Sequence, residues 1–179
     1  QGVTVQACVG RSIGVILREE LGLAPEYIQE RISTIFLDGK PVDDIEAAIV
    51  KQGAVLALSG AMPGLVGATM RCGGAYRSLR GTITYREENP ATVRAPGFFY
   101  LKLFNVLIGE LGPPLLARGI FLTSVVLKNS LTEEDGSFWP GCLAIILDGV
   151  PIDPVSFLKN GLSDPTGLIR LVILFEQHD

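Results

Sequence analysis

The chain has 179 residues and a mass of 19.2 kDa, with 47% apolar and 19% charged residues, a mean hydropathy of +0.38 and a net charge of −4. A chain of this size buries about 70% of its unfolded surface and needs no staples, and this composition is too apolar for a disordered one. The acidic balance gives no general attraction to nucleic acid or to anionic membranes. One histidine and three widely spaced cysteines leave little material for metal or disulfide chemistry. Cys8, Cys72 and Cys142 read as free thiols of a reducing compartment, so a soluble, cytoplasmic protein is expected. A Cys3His set with His178 lacks the close ligand pairs of a zinc site, and no metal or cofactor is expected.

Val3–Val9 alternates with period two, as a half-buried strand does. Ser12 is placed to cap a helix reaching Leu21, with Ile13, Ile16, Leu17 and Leu21 on one face and Gly22 as its stop. A short helix is expected from Pro25. Ile32–Leu37 then runs into Asp38-Gly39, a tight-turn pair. Asp43 and Glu46 form a capping-box pattern that predicts a helix ending at Gly53, before a buried strand at Ala54–Leu58.

Residues 60–94 differ in character. They hold six glycines up to Gly81, and five arginines against two glutamates, which makes this stretch +3 and the remainder −7. Gly81–Tyr85 is a candidate strand, and residues 89–96 read as a linker. Phe98–Leu111 is strongly apolar and predicts a buried helix. Its charges and Pro113-Pro114 keep the apolar run too short for a membrane span. Strands are expected at Ile120–Lys128, Leu143–Asp148 and Leu168–Phe175. The loop 132–140 carries Glu133-Glu134-Asp135 as a solvated run and ends near Trp139, which reads as a plug over the core or as a partner anchor.

The chain also echoes itself. Phe36-Leu-Asp-Gly-Lys-Pro-Val-Asp43 recurs as Ile146-Leu-Asp-Gly-Val-Pro-Ile-Asp153, with five of eight positions identical. Lys51-Gln-Gly53 recurs as Lys159-Asn-Gly161, and Glu20-Leu-Gly22 as Glu110-Leu-Gly112. Asp38 and Asp148 suit turns, and Asp43 and Asp153 suit caps, so these acids are not free to form a catalytic pair. A tandem duplication of one small α/β unit accounts for the pattern.

The order strand, helix, strand, tight turn, short helix, strand, carried by Ile35–Val42 and Lys51–Leu58, resembles the β-grasp fold, most closely its ubiquitin-like sulfur-carrier branch. The resemblance implies an α/β (α+β) chain of two β-grasp-like units with mixed sheets. Residues 1–62 form the first, 63–96 a Gly/Arg-rich connection, and 97–179 the second with an insertion near 121–141. Two departures bear on function. A sulfur carrier ends in a free Gly-Gly, whereas the first copy runs on through Met62-Pro-Gly64 and the second reads Glu176-Gln-His-Asp179. A β-grasp unit also opens with a hairpin, and here a single strand precedes the first helix. The resemblance therefore implies a scaffold for binding, not carrier chemistry.

The chemistry-bearing stretch is Gly64 to Arg80. Gly64, Gly67, Gly73 and Gly74 can let backbone N–H groups converge on an anion, and Arg71, Arg77 and Arg80 can fork onto phosphate or carboxylate. It matches neither a P-loop nor a dinucleotide turn. The competing reading is a glycine-rich bend whose arginines face solvent. Cys72 beside Arg71 is the only credible nucleophile if its thiol is exposed and its pKa lowered, but no general base is near it in sequence. Tyr76 and Tyr85 are too few aromatics for a nucleic-acid platform. The expected function is a non-catalytic binding or assembly module for a protein partner, a second copy or a small anionic ligand. The alternative is a small enzyme acting on an anionic substrate through Cys72 and the arginines. Convergence of those side chains in one pocket would favour the enzyme, and their dispersal the module.

Overall fold

The computed structural model describes residues 2–87, 93–133, 141–153, 156–157 and 167–175. The chain is mixed α/β and divides into two units: residues 1–120 with 172–179, and residues 121–171.

The first unit opens with β1, Val3–Val9, whose Val5, Ala7 and Val9 are buried alternately as the period-two pattern predicts. β2, Arg11–Ser12, leads into the first helix. Ser12 Oγ accepts from the Val15 N–H at 3.3 Å and caps it. This helix, α1, covers Ile13–Val15 and continues as a π-helical turn, Ile16–Glu20, burying Ile13, Ile16 and Leu17 completely. Gly22 follows at φ +70°, the left-handed stop that glycine takes without strain. α2 is Pro25–Arg31, with proline in its first turn.

β3, Thr34–Leu37, and β4, Lys40–Pro41, form a two-residue hairpin with Leu37 opposite Lys40. Asp38 and Gly39 both have positive φ, 50° and 78°, as a turn matching the strand twist requires. Asp38 Oδ1 also accepts from the Val55 N–H at 2.7 Å, which ties the turn to the next long strand.

The expected helix after Asp43 is instead a turn. Asp44, not Asp43, supplies the cap-like bonds: its Oδ1 accepts from the N–H groups of Glu46 and Ala47 at 2.9 and 3.2 Å. Glu46 is drawn to Arg18, at 2.6 and 3.1 Å, so it does not complete a capping box. The chain then enters β5, Ile49–Val50, which pairs with β2. β6, Val55–Ser59, lies antiparallel to β3. α3 is Gly64–Met70, and a 3-10 turn covers Arg77–Arg80. Gly81–Tyr85 forms turns, with the N–H groups of Ile83 and Thr84 returning to the Arg80 carbonyl, and is not a strand.

The largest departure concerns Phe98–Leu111. Its first half is β7, Ala95–Phe104, and only the second half is helix: α4, Val106–Arg118. A continuous apolar run does not reveal its own period. Two open strands demand a partner, and Phe99 and Leu101 are buried on alternate positions between them. β7 is antiparallel to β1 from Val3↔Leu101 to Val9↔Ala95, and parallel to β6 from Val55↔Tyr100 to Ser59↔Phe104. Within this unit the strand order is β1-β7-β6-β3-β4. The expected boundary at residue 97 therefore falls inside β7, between β1 and β6. Asn105, at φ +56°, makes the break between β7 and α4, and its side-chain amide donates to Ser59 Oγ at 3.1 Å.

The helices share one core. Leu107, Leu111 and Leu115 of α4 repeat every four residues and join Ile13, Ile16 and Leu17, Ile28 of α2, and Leu56, Leu58, Phe99 and Leu101 of the sheet. Each large side chain buried this way contributes about 1.5–3 kcal/mol. α4 is also tied to α2 at the surface, where Glu110 accepts from the Tyr27 hydroxyl at 2.6 Å and from Arg31.

The second unit contains β8, Ile120–Thr123, and α5, Ser124–Glu133. The strand expected through Lys128 ends at Thr123, whose hydroxyl accepts from the Val126 N–H at 3.4 Å and starts the helix. β9, Ile145–Leu147, and β10, Val150–Ile152, form a second two-residue hairpin, and β11, Leu168–Leu171, lies beside β8. Asp148 and Gly149 have φ of 50° and 82°, so the repeated Leu-Asp-Gly motif builds the same turn twice. Asp153 Oδ1 accepts from the Ser156 N–H at 2.9 Å, the capping expected there. Trp139, the acidic run's Glu134 and Asp135, Lys159–Gly161 and His178 lie outside the described residues. Among the described residues no helix is long and apolar enough to cross a membrane.

Candidate functional site

The Gly/Arg stretch is held against the hairpin by Asp43. The Arg80 guanidinium, only 2% exposed, donates to Asp43 Oδ1 at 2.7 Å. It also donates to the carbonyls of Thr69 and Arg71 at 2.6 and 3.2 Å, and to Thr84 Oγ1 at 3.0 Å. Those two carbonyls belong to the end of α3, where helical C=O groups lack intrahelical partners and attract cations. One arginine thus closes a helix end and anchors the following turns.

The glycine amides are committed in the same way. Gly73 N–H donates to Asp43 Oδ1 at 3.0 Å, Cys72 N–H to the Ser33 carbonyl at 2.8 Å, and Gly74 N–H to the Arg71 carbonyl at 3.1 Å. Of the donors in this stretch, the Gly73 N–H and the Arg80 guanidinium meet on the chain's own Asp43 carboxylate. Asp43 carried a visible signal: of the two adjacent aspartates 43 and 44, only one can cap the turn.

The structure therefore brings Cys72, Gly73 and Arg80 together and leaves the other expected residues elsewhere. Arg71 and Arg77 are exposed, and neither pairs with a carboxylate among the described residues. Gly64 is exposed at φ +79°. Gly67 is buried, and a Cβ there would lie 2.0 Å from the Met62 carbonyl, so its role is close packing of α3 on the chain entering it.

Cys72 differs from the expected activated thiol. Its Sγ–H donates to the Asp43 carbonyl at 3.3 Å. Burial pushes the thiol pKa up, the nearby Asp43 and Asp44 charges add to this, and Arg80 only opposes it. Arg71 does not serve as an activating neighbour. Cys8, Cys72 and Cys142 are all unpaired thiols. Among the described residues no group of three or more His, Cys, Asp or Glu side chains is placed to hold a metal ion.

What the stretch does present outward is apolar. Leu65 and Val66 of α3 are 70% and 66% exposed, and Leu79 of the 3-10 turn is 71% exposed. Met62, Tyr76 and Ile83 in the same stretch are exposed as well. α3 and the 3-10 turn pack on one another, so these side chains and the exposed Arg71 and Arg77 belong to one local substructure.

Compared with protein-family models, with curated proteins and with solved structures, the chain matches none.

Proposed function

We propose that the chain is a non-catalytic binding module whose segment 62–83 docks a protein partner bearing carboxylates among apolar side chains. The observation that carries this reading is the exposure of Leu65, Val66 and Leu79 beside Arg71 and Arg77, neither of which pairs with a carboxylate among the described residues. Isolated exposed apolar residues are ordinary, but several concentrated in one short segment are a mark of interaction surfaces. The excess of positive charge in this stretch, against an acidic remainder, selects for acid on the partner. The enzyme reading loses support because Arg80 faces inward and burial pushes the Cys72 thiol pKa up.

Three further aspects belong to the same proposal. The scaffold is β-grasp-like: β7 runs antiparallel beside β1, where the hairpin missing from the sequence would stand. The identical turns at Asp38-Gly39 and Asp148-Gly149 support a duplicated origin. The free thiols support a reducing, cytoplasmic setting.

Cross-linked capture from source-cell extract tests the reading, comparing wild type with Leu65→Ser/Val66→Ser and with Arg71→Glu/Arg77→Glu, alongside light scattering of the purified chain. One acidic partner lost with both variants supports it. A second copy as the captured species makes the module self-assembling. Capture indifferent to both variants, or a monomer that captures nothing, overturns it.

A further inference from the structure

Beside the hairpin, an open depression of about 550 Å³ is lined by Lys40, Ser78, Leu79, Thr82, Thr84 and Arg86. Its volume lies within the usual range for small-molecule sites, roughly 300–1,000 Å³. Among the described residues, two cations line it and no carboxylate does. The local fold places both. Lys40 opens β4 directly after the Asp38-Gly39 turn, and the Tyr85 N–H donates to the Pro41 carbonyl at 2.8 Å, which brings Arg86 alongside that strand. The nearest acid in sequence, Glu87, is committed elsewhere: it accepts from Lys51 at 2.8 Å and from the Tyr85 hydroxyl at 2.7 Å. Thr84 Oγ1 is engaged with Arg80, so it forms a fixed wall. The lining residues able to donate are Lys40, Arg86, Ser78 and Thr82.

From this lining we infer that the depression is a binding site for a phosphoryl group on a small organic molecule. An arginine fork, a lysine point charge and two hydroxyls match a dianion with several acceptor oxygens better than a single carboxylate, which offers two oxygens. Leu79 supplies an apolar wall for the organic part of the ligand. The depression shares Ser78, Leu79 and Thr82 with segment 62–83, but its two cations, Lys40 and Arg86, lie outside that segment, so phosphate binding is tested separately from partner docking. It also differs from the Asp43 cluster, where the anion is internal.

Calorimetric titration with inorganic phosphate, glycerol 3-phosphate and succinate tests the inference on the full chain. Binding of both phosphates at millimolar concentration is expected, weakening as salt is raised. Lys40→Ala and Arg86→Ala should each weaken it roughly tenfold, and Arg77→Ala should not. Both residues are exposed, so the variants should fold, and retention of the wild-type circular dichroism melt confirms that they do. Amide chemical-shift changes at Gly81 and Thr82 on adding glycerol 3-phosphate give a second readout. No binding of either phosphate, equal binding of succinate, or affinity unchanged in the Lys40 and Arg86 variants overturns the inference.

Discussion

Arg80 and Asp43, 37 positions apart, meet at 2.7 Å, and their pairing joins the Gly/Arg stretch to the turn after β4. The arginine is enclosed while the aspartate remains partly exposed. Removing Asp43 leaves an enclosed cation without its counter-charge, and removing Arg80 also frees the two carbonyls at the end of α3. Breaking a buried pair from one side typically costs 3–5 kcal/mol, and the partial exposure of Asp43 puts this one near the lower end. Arg80→Ala and Asp43→Ala should each lose about 3 kcal/mol in urea unfolding, whereas the exposed Arg77→Ala should stay within about 0.5 kcal/mol. Equal small losses in all three would show that the cluster does not hold the segment.

Cys72 donates its thiol proton to a backbone carbonyl beside two aspartates, so its thiolate is disfavoured. In a Cys8→Ser/Cys142→Ser background, the rate of iodoacetamide labelling should still be rising above pH 9.0, the ordinary thiol value. Because the folded value is raised, the thiol's contribution to stability is complete below the unfolded pKa and is lost as pH climbs through the folded one. A labelling rate that levels off near neutral pH would instead restore Cys72 as a candidate nucleophile.

Two surface glutamates set an acid-side dependence. The Arg31 guanidinium and then the Tyr27 hydroxyl hold the Glu110 carboxyl below its usual 4.5, and Arg18 does the same for Glu46. Their folded values are depressed, so their contribution is present above the unfolded value and disappears as pH falls through the folded one. Glu46→Gln/Glu110→Gln should therefore be less stable than wild type at neutral pH and should converge with it below the ordinary glutamate value. Parallel stability curves across that range would mean that neither ion pair matters. Tyr27 behaves in the opposite sense at high pH: burial and then Glu110 push its hydroxyl to about 12, so absorbance titration should show one tyrosine ionising late and Tyr27→Phe should abolish that step.

Much of the local structure was legible because it rests on short-range chemistry. The Ser12 cap, the Gly22 stop, the proline start of α2 and both Asp-Gly turns need only neighbouring residues. Two departures are local, at the Thr123 cap and the turns onto the Arg80 carbonyl, and the larger ones involve distant partners. Phe98–Phe104 is a strand because β1 and β6 stand open on either side, which no window of sequence contains. The helix after Asp43 does not form because Gly73, Arg80 and Arg18 claim the carboxylates that would have capped it. The candidate site follows the same division. The composition of Gly64–Arg80 shows abundant donors, but the meeting of Gly73 and Arg80 on Asp43 depends on tertiary contact. The pairing of Lys40 with Arg86 in one depression depends on Tyr85 docking beside β4, and no local motif encodes it.

In the function proposed above, the exposed apolar and arginine side chains of segment 62–83 form the docking face. Hydrogen–deuterium exchange of the chain with and without its cross-link-identified partner measures this directly. Exchange should slow over Gly64–Met70 and Arg77–Arg80, with the amides of β1 and β7 unchanged. Protection confined to other elements, with Gly64–Met70 exchanging as in the free chain, would contradict it.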